Sequence, residues 1–297
     1  MTGENGSIQI HSFKEAPRRV VSLVPSMTES LIDLGMGSAL VGLTEYCRPG
    51  EAYQGVPRVG GTRTVDVEAV RALNPELVIA NQEENPRSVV EALEQAGLRV
   101  WVTFPRSVAA AIDILWVLAR LFRSAQAGLY IKTIEDTLTW TALASESIQP
   151  MRTFCPIWYD EHPQFGVWMM SFNSNTYAHD LLQKCGGQNV FASRERRYPL
   201  AADLGHGQEE EANERDRRYP RLALAEILES QPDLILLPDE PFSFEAEHQA
   251  SMEQLLAETP ALRAGRVRRI DGRLLTWHGT RLAHALRSLP EMLQDVT

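Results

Sequence analysis

Tyr46 and Cys47, Asn81 with Glu84 and Asn85, Trp158, Asp239 with Phe242, and Trp277 with His278 each follow directly on a short aliphatic or β-branched run. Ser26, just after Val20 to Pro25, belongs to the same set. In open parallel sheets ligands bind beyond the C-terminal strand ends, so residues at this register line the place where a small molecule is held. Rings supply stacking area, while amides and carboxylates fix orientation; together they suit a flat, partly apolar molecule with a polar rim.

The same residues also have sharper chemistry open to them. His278 can ligate a corrin cobalt or a haem iron, because imidazole is the usual protein ligand of such centres. A loop histidine held by hydrogen bonds is the simpler reading. Cys47 beside Arg48 can act as a thiolate ligand or nucleophile, and a small half-buried thiol is again simpler. Glu83-Glu84 and Asp239-Glu240 stand at matching places in the two halves of the chain, where carboxylates serve as acid and base, or cap the following helices and orient a ligand. His162, His179, His206 and His248 lack the spacing of a zinc site. No Gly-x-Ser-x-Gly, P-loop or Gly-x-Gly-x-x-Gly pattern is present. Binding without catalysis is therefore expected, with no catalytic residue, no protein-held metal and no required cofactor.

A chain of 297 residues with 44% hydrophobic content is ample for two medium cores. Its formal net charge of -10 argues against nucleic acid, whose phosphates call for clustered cations. No apolar run is long enough to span a bilayer, and Met1 to Ala16 lacks the pattern of a secretory signal. From these residues alone the chain is expected to be cytoplasmic. Its three cysteines are widely spaced and read as reduced thiols.

Strand and helix patterns alternate: Arg19 to Val24, a helix from Met27 to Leu34 with Ser26 and Glu29 as a capping box, Leu40 to Thr44, Val67 to Leu73, Leu77 to Ala80, Pro86 to Ala96 and Arg99 to Phe104. Ser107 to Ser147 is helical, with a break at Ser124 to Gln126, and the alternation resumes with strands at Thr153 to Trp158 and Val167 to Phe172. The expected fold is α/β: an N-terminal lobe over 1–106, a helical segment over 107–149 and a C-terminal lobe over 150–297, each lobe a parallel, helix-covered sheet. Val70 to Ile79 parallels Ile227 to Leu236, a repeat of helix end, proline turn, acidic residue and strand. Ser193 to Arg218, dense in Arg, Glu and Asp, reads as a solvated, mobile insertion.

Arg19-Val20-Val21-Ser22-Leu23-Val24-Pro25-Ser26-Met27-Thr28-Glu29, then Val41-Gly42-Leu43-Thr44, then Leu73-Asn74-Pro75-Glu76-Leu77-Val78-Ile79, resemble the vitamin B12 and iron-siderophore binding proteins of ABC importers, which have the class III periplasmic binding protein fold. The resemblance implies two lobes bridged by one long helix, here about Ala127 to Ser147, with a ligand cleft between them and little lobe movement on binding. It implies a corrinoid as ligand, with Tyr46, Tyr219, and Trp277 with Arg281 as contacts, and the cobalamin branch is the most similar. An iron siderophore or haem is the alternative within the class, and a cytosolic corrinoid- or metal-handling enzyme or sensor the alternative outside it. The chain departs from the pattern at Asn81, where the cobalamin binders carry an aromatic residue. The resemblance further implies an ABC permease as partner, a periplasmic or cell-surface location, and docking through an acidic residue on each lobe. Glu68 matches the first, while the second falls at Ala225 beside Glu226.

Overall fold

Val20–Ser22 is buried throughout and forms strand β1, after which the chain turns at Val24 into helix α1 (Pro25–Asp33). The computed structural model describes residues 13–294. Most of the segment read for a secretory signal, Met1 to Ala16, lies outside them. Next come β2 (Leu40–Leu43), α2 (Val67–Ala72), β3 (Leu77–Asn81), α3 (Arg87–Gln95), β4 (Val100–Thr103), α4 (Val108–Leu121) and α5 (Ala125–Glu146). The four strands form a parallel sheet in the order β2-β1-β3-β4. Central β3 is buried at all five positions, as a parallel strand covered on both faces must be.

The chain then forms β5 (Met151–Phe154), β6 (Trp158–His162), β7 (Gly166–Met170), α6 (Tyr177–Lys184), β8 (Gly187–Asn189), α7 (Leu200–Asp203) and β9 (Arg221–Ala223). It ends with α8 (Leu224–Glu229), β10 (Leu234–Pro238), α9 (Ala246–Leu255), α10 (Pro260–Arg263), β11 (Val267–Ile270), α11 (Arg273–Thr276) and α12 (Leu282–Gln294). A second parallel sheet runs β11-β10-β5-β8, and β6-β7-β9 is a separate antiparallel sheet. The sequence reading took Thr153 to Trp158 as one strand. Strand β5 instead stops at Phe154, because Pro156 has no N–H for a ladder, and Trp158 opens a hairpin in register with Met170.

Two compact units result, Met1–Thr137 with His278–Ala283 and Leu138–Trp277 with His284–Thr297. The division falls inside the 22-residue α5, so this helix belongs to both. It also places 278–283 with the first unit, unlike a division at 150. The return is held by the Thr280 N–H donating to Ser30 Oγ at 3.1 Å and the Thr280 hydroxyl donating to Asp33 at 2.7 Å. Gly279, at φ +94°, permits it, since a Cβ there would lie 2.2 Å from Ser30 Oγ.

The repeat has a mechanical content that its letters do not show. Arg19, just before β1, donates from Nε to the carbonyls of Leu73 and Asn74, both at 3.1 Å, at the end of α2. Arg152, in β5, donates to Ser230 and Gln231 at the end of α8, at 2.6 and 3.5 Å. Asn74 and Gln231 both adopt a left-handed conformation, at φ 44° and 43°, and the acidic residue two positions on returns its N–H to the same arginine's carbonyl. Each arginine satisfies helix-end carbonyls that have no partner within the helix.

The charged segment is ordered, not solvated throughout. Asp203 is 1% exposed and accepts from Arg194 Nη1 at 3.0 Å, Arg221 Nε at 2.8 Å and the backbone N–H groups of Arg197 and Arg221. A buried carboxylate with four donors fixes the chain around it. Replacing Arg19 or Arg152 by Ala is predicted to lower the unfolding free energy by about 1 kcal/mol each, measured by urea unfolding.

Candidate functional site

In the first unit the loops after the strands carry the residues of interest. Helix α1 starts on Pro25, which is pre-organised for the first helical position, so Ser26 lies inside the helix and the expected capping box with Glu29 is absent. Ser26 Oγ is buried and makes no hydrogen bond. Glu29 instead accepts two hydrogen bonds from Arg281, from Nε at 3.1 Å and from Nη2. The Arg281 guanidinium is thereby neutralised by a carboxylate 252 positions away in the chain.

Tyr46 keeps 62% of its surface exposed, with its ring across Gly61, where a Cβ would stand 3.3 Å from Cε2. Cys47 is turned inward, its sulfur 3.2 Å from the hydroxyls of both Thr28 and Thr44 and 2% of the residue exposed. The structure therefore places it as a buried thiol between two threonine hydroxyls. Asn81 and Asn85 build the β3–α3 loop. Asn81 Oδ1 accepts the Glu83 N–H at 2.8 Å, Asn85 Oδ1 accepts the Asn81 N–H at 2.8 Å, and Asn85 Nδ2 donates to Thr62 at 2.8 Å. Both are buried, while Glu84 is partly exposed on the loop they shape.

His278 meets this loop. Its Nε2 lies 3.3 Å from Asn81 Nδ2, and burial pushes its pKa down to about 4. The ring is neutral at physiological pH. Among the described residues no group of three or more His, Cys, Asp or Glu is placed to hold a metal ion.

In the second unit Trp158 is 42% exposed and stands edge-on to Phe242, with centroids 5.6 Å apart. Phe242 packs in turn on Phe244 at 4.8 Å and His248 at 5.0 Å, and Tyr159 reaches both Phe242 and His248. Phe244 is not among the expected contacts, although the Phe-x-Phe alternation at 242–244 is a signal for it. Asp239 Oδ1 accepts the Gly272 N–H at 2.8 Å, holding the loop after β10 to the loop after β11. Only glycine fits there, because a Cβ on Gly272 would lie 2.5 Å from the Glu240 carbonyl oxygen. Burial raises the Glu240 pKa, hydrogen bonding from Trp277 opposes that, and the Asp239 charge adds to the rise. Trp277 lies under Arg273 at 5.7 Å and Tyr219 under Arg218 at 5.1 Å, so each ring has a guanidinium beside it.

The two acidic residues considered for docking differ. Glu68 is exposed and pairs with Arg71, at 3.5 Å, one turn on. Glu226 is bound by Arg194 Nε at 2.7 Å, within the network around Asp203, and so is occupied inside the unit.

The geometry describes exposed rings beside polar loops at the C-terminal edges of two parallel sheets, on a helix-linked α/β frame of the class III periplasmic binding protein type. A family profile described as "Periplasmic binding protein" matches residues 20–274, and the chain belongs to that family. A vitamin B12-binding protein of Yersinia pestis is 27% identical over 190 residues, covering 62% of this chain and 64% of its own length. The fold is that of the periplasmic vitamin B12 binding protein of Vibrio cholerae, with TM-score 0.71 and 20% identity over 94% of this chain and 97% of that one. A periplasmic heme binding protein from Pseudomonas aeruginosa also has TM-score 0.71, at 23% identity over 95% of this chain and 94% of that one. No helix among the described residues is long and apolar enough to cross a membrane.

His278 gives this site a pH signature. Its folded pKa of about 4 lies below the ordinary 6.5, so the unfolded chain takes up a proton first as pH falls. The stability from the neutral buried ring is fully present above pH 6.5 and is lost between about 6.5 and 4, by about 2 kcal/mol at pH 5. Chemical unfolding at pH 7 and pH 5 checks this, and His278→Gln is expected to flatten that part of the difference.

A second expectation concerns the buried network. Arg194→Ala strands Asp203 and Glu226 without their shared cation and is predicted to cost about 3 kcal/mol or more, again measured by urea unfolding.

Proposed function

We propose that this chain is the substrate-binding component of an ABC importer and holds a corrinoid without transforming it. The observation that carries this is the exposed Trp158 seated edge-on against Phe242, on a chain matched along 20–274 by the periplasmic binding protein family. An indole left with 42% of its surface open is an unspent stacking face, and aromatic anchors dominate the affinity of such sites. Tyr46, more exposed still, is the equivalent ring in the first unit. The name of the Yersinia pestis relative favours vitamin B12. A haem or ferric siderophore is the second reading, favoured by the equal likeness to the Pseudomonas aeruginosa heme binding protein. A permease partner and a periplasmic location accompany either reading, with Glu68 as the docking carboxylate.

Tryptophan fluorescence titrated with cyanocobalamin, haemin and a ferric siderophore tests this directly. One of the three is expected to quench with a dissociation constant below about 10 μM, and Trp158→Ala to weaken it by about 10- to 100-fold. Absence of quenching by all three at about 100 μM, where a site worth only about -5.5 kcal/mol would still show, removes the reading.

A further inference from the structure

Arg-Arg-Tyr-Pro occurs twice, at 196–199 and 217–220, and the two copies lie side by side. The Arg196 N–H donates to the Arg217 carbonyl at 2.9 Å, and the Tyr198 hydroxyl to the Asp216 carbonyl at 2.7 Å. Asn173 Nδ2 fastens both segments, donating to Arg194 and Arg217 at 3.2 and 3.1 Å. The first copy follows β8, at the C-terminal edge of the second parallel sheet, and the second ends in Tyr219 and Pro220, next to β9.

The arginines here are not equivalent. Those at 194, 215, 217, 218 and 221 each pair with a carboxylate. Among the described residues, Arg196 and Arg197 form no such pair, and Arg196 Nε is in addition buried with no hydrogen-bond partner. The Arg196 guanidinium rests 5.0 Å from the centroid of the Tyr198 ring, which also carries Arg215 at 4.2 Å and Arg221 at 5.5 Å. Burial and the Arg221 charge both oppose its own charge, and the nearby Asp203 and Asp216 only offset them in part. A guanidinium does not deprotonate in proteins, so a buried donor left unmet lowers stability until something accepts from it. Its planar fork matches a carboxylate or phosphate edge in two parallel hydrogen bonds.

We propose that Arg196 recognises an oxyanion of the bound chelate, a phosphodiester or a carboxylate. The inference rests on the chelate-binding reading above and narrows it to ligands that carry such a group. A corrinoid with its nucleotide loop offers a phosphodiester, and haem offers propionates.

The test pairs each source with a probe lacking the anion: cyanocobalamin against dicyanocobinamide, and haemin against its dimethyl ester. All four are titrated into the wild-type chain, R196Q and R196K. The inference expects R196Q to weaken the anionic member of the bound pair at least 10-fold and the capped member less than 2-fold. R196K should recover part of the loss, with the thermal midpoints of the three proteins alike. Which pair responds identifies the source of the oxyanion. Equal weakening of both members, or a change under 2-fold for the anionic one, overturns the role of Arg196 and leaves chelate binding standing. Failure of all four probes on the wild-type chain removes both.

Discussion

Arg19 and Arg152 each sit where a strand begins and reach sideways to close the end of the helix that feeds the neighbouring strand. Carbonyls at a helix C-terminus have no acceptor duty inside the helix, and the chain must leave them through a left-handed residue to enter β3 or β10. Once that exit is closed, the register of the strand beside β1 or β5 follows, and with it the height at which Asn81 and Asp239 emerge. The loops that carry the candidate contacts are thus set from the opposite end of each sheet. The same solution appears in both units, with arginine, left-handed residue, proline and acid in the same order.

The parallel sheets were legible in the sequence because β3, up to Ala80, and β10 are short apolar runs between turn residues. The antiparallel sheet was not, since Trp158 to His162 mixes rings with acids and the third strand, Arg221–Ala223, which pairs with β7, lies far along the chain. Site residues divided along a similar line. Exposed rings such as Tyr46 and Trp158 stand where strand ends predict them, whereas the partners of several polar residues come from distant parts of the chain. Arg281 is claimed by Glu29, Glu226 by Arg194, and Cys47 by two threonine hydroxyls. Nothing local in the chain announces such pairs. The segment 193–218 shows the same limit, because a count of charges cannot reveal that Asp203 is buried with four donors.

Among the described residues the rings of Tyr46 and Trp158 stay open to solvent, and the Arg196 guanidinium forms no ion pair. Aromatic faces stay open to water at a cost in hydrophobic free energy of about 25 cal/mol per Å² of apolar surface.

Stoichiometric binding of an intact chelate is the central expectation. Native mass spectrometry of the wild-type chain mixed with cyanocobalamin, haemin or a ferric siderophore measures this directly. One adduct per chain is expected, with the mass of one unaltered chelate that is recovered unchanged on denaturation. A folded chain that forms no adduct with any of them, or that releases a chemically altered chelate, contradicts the account.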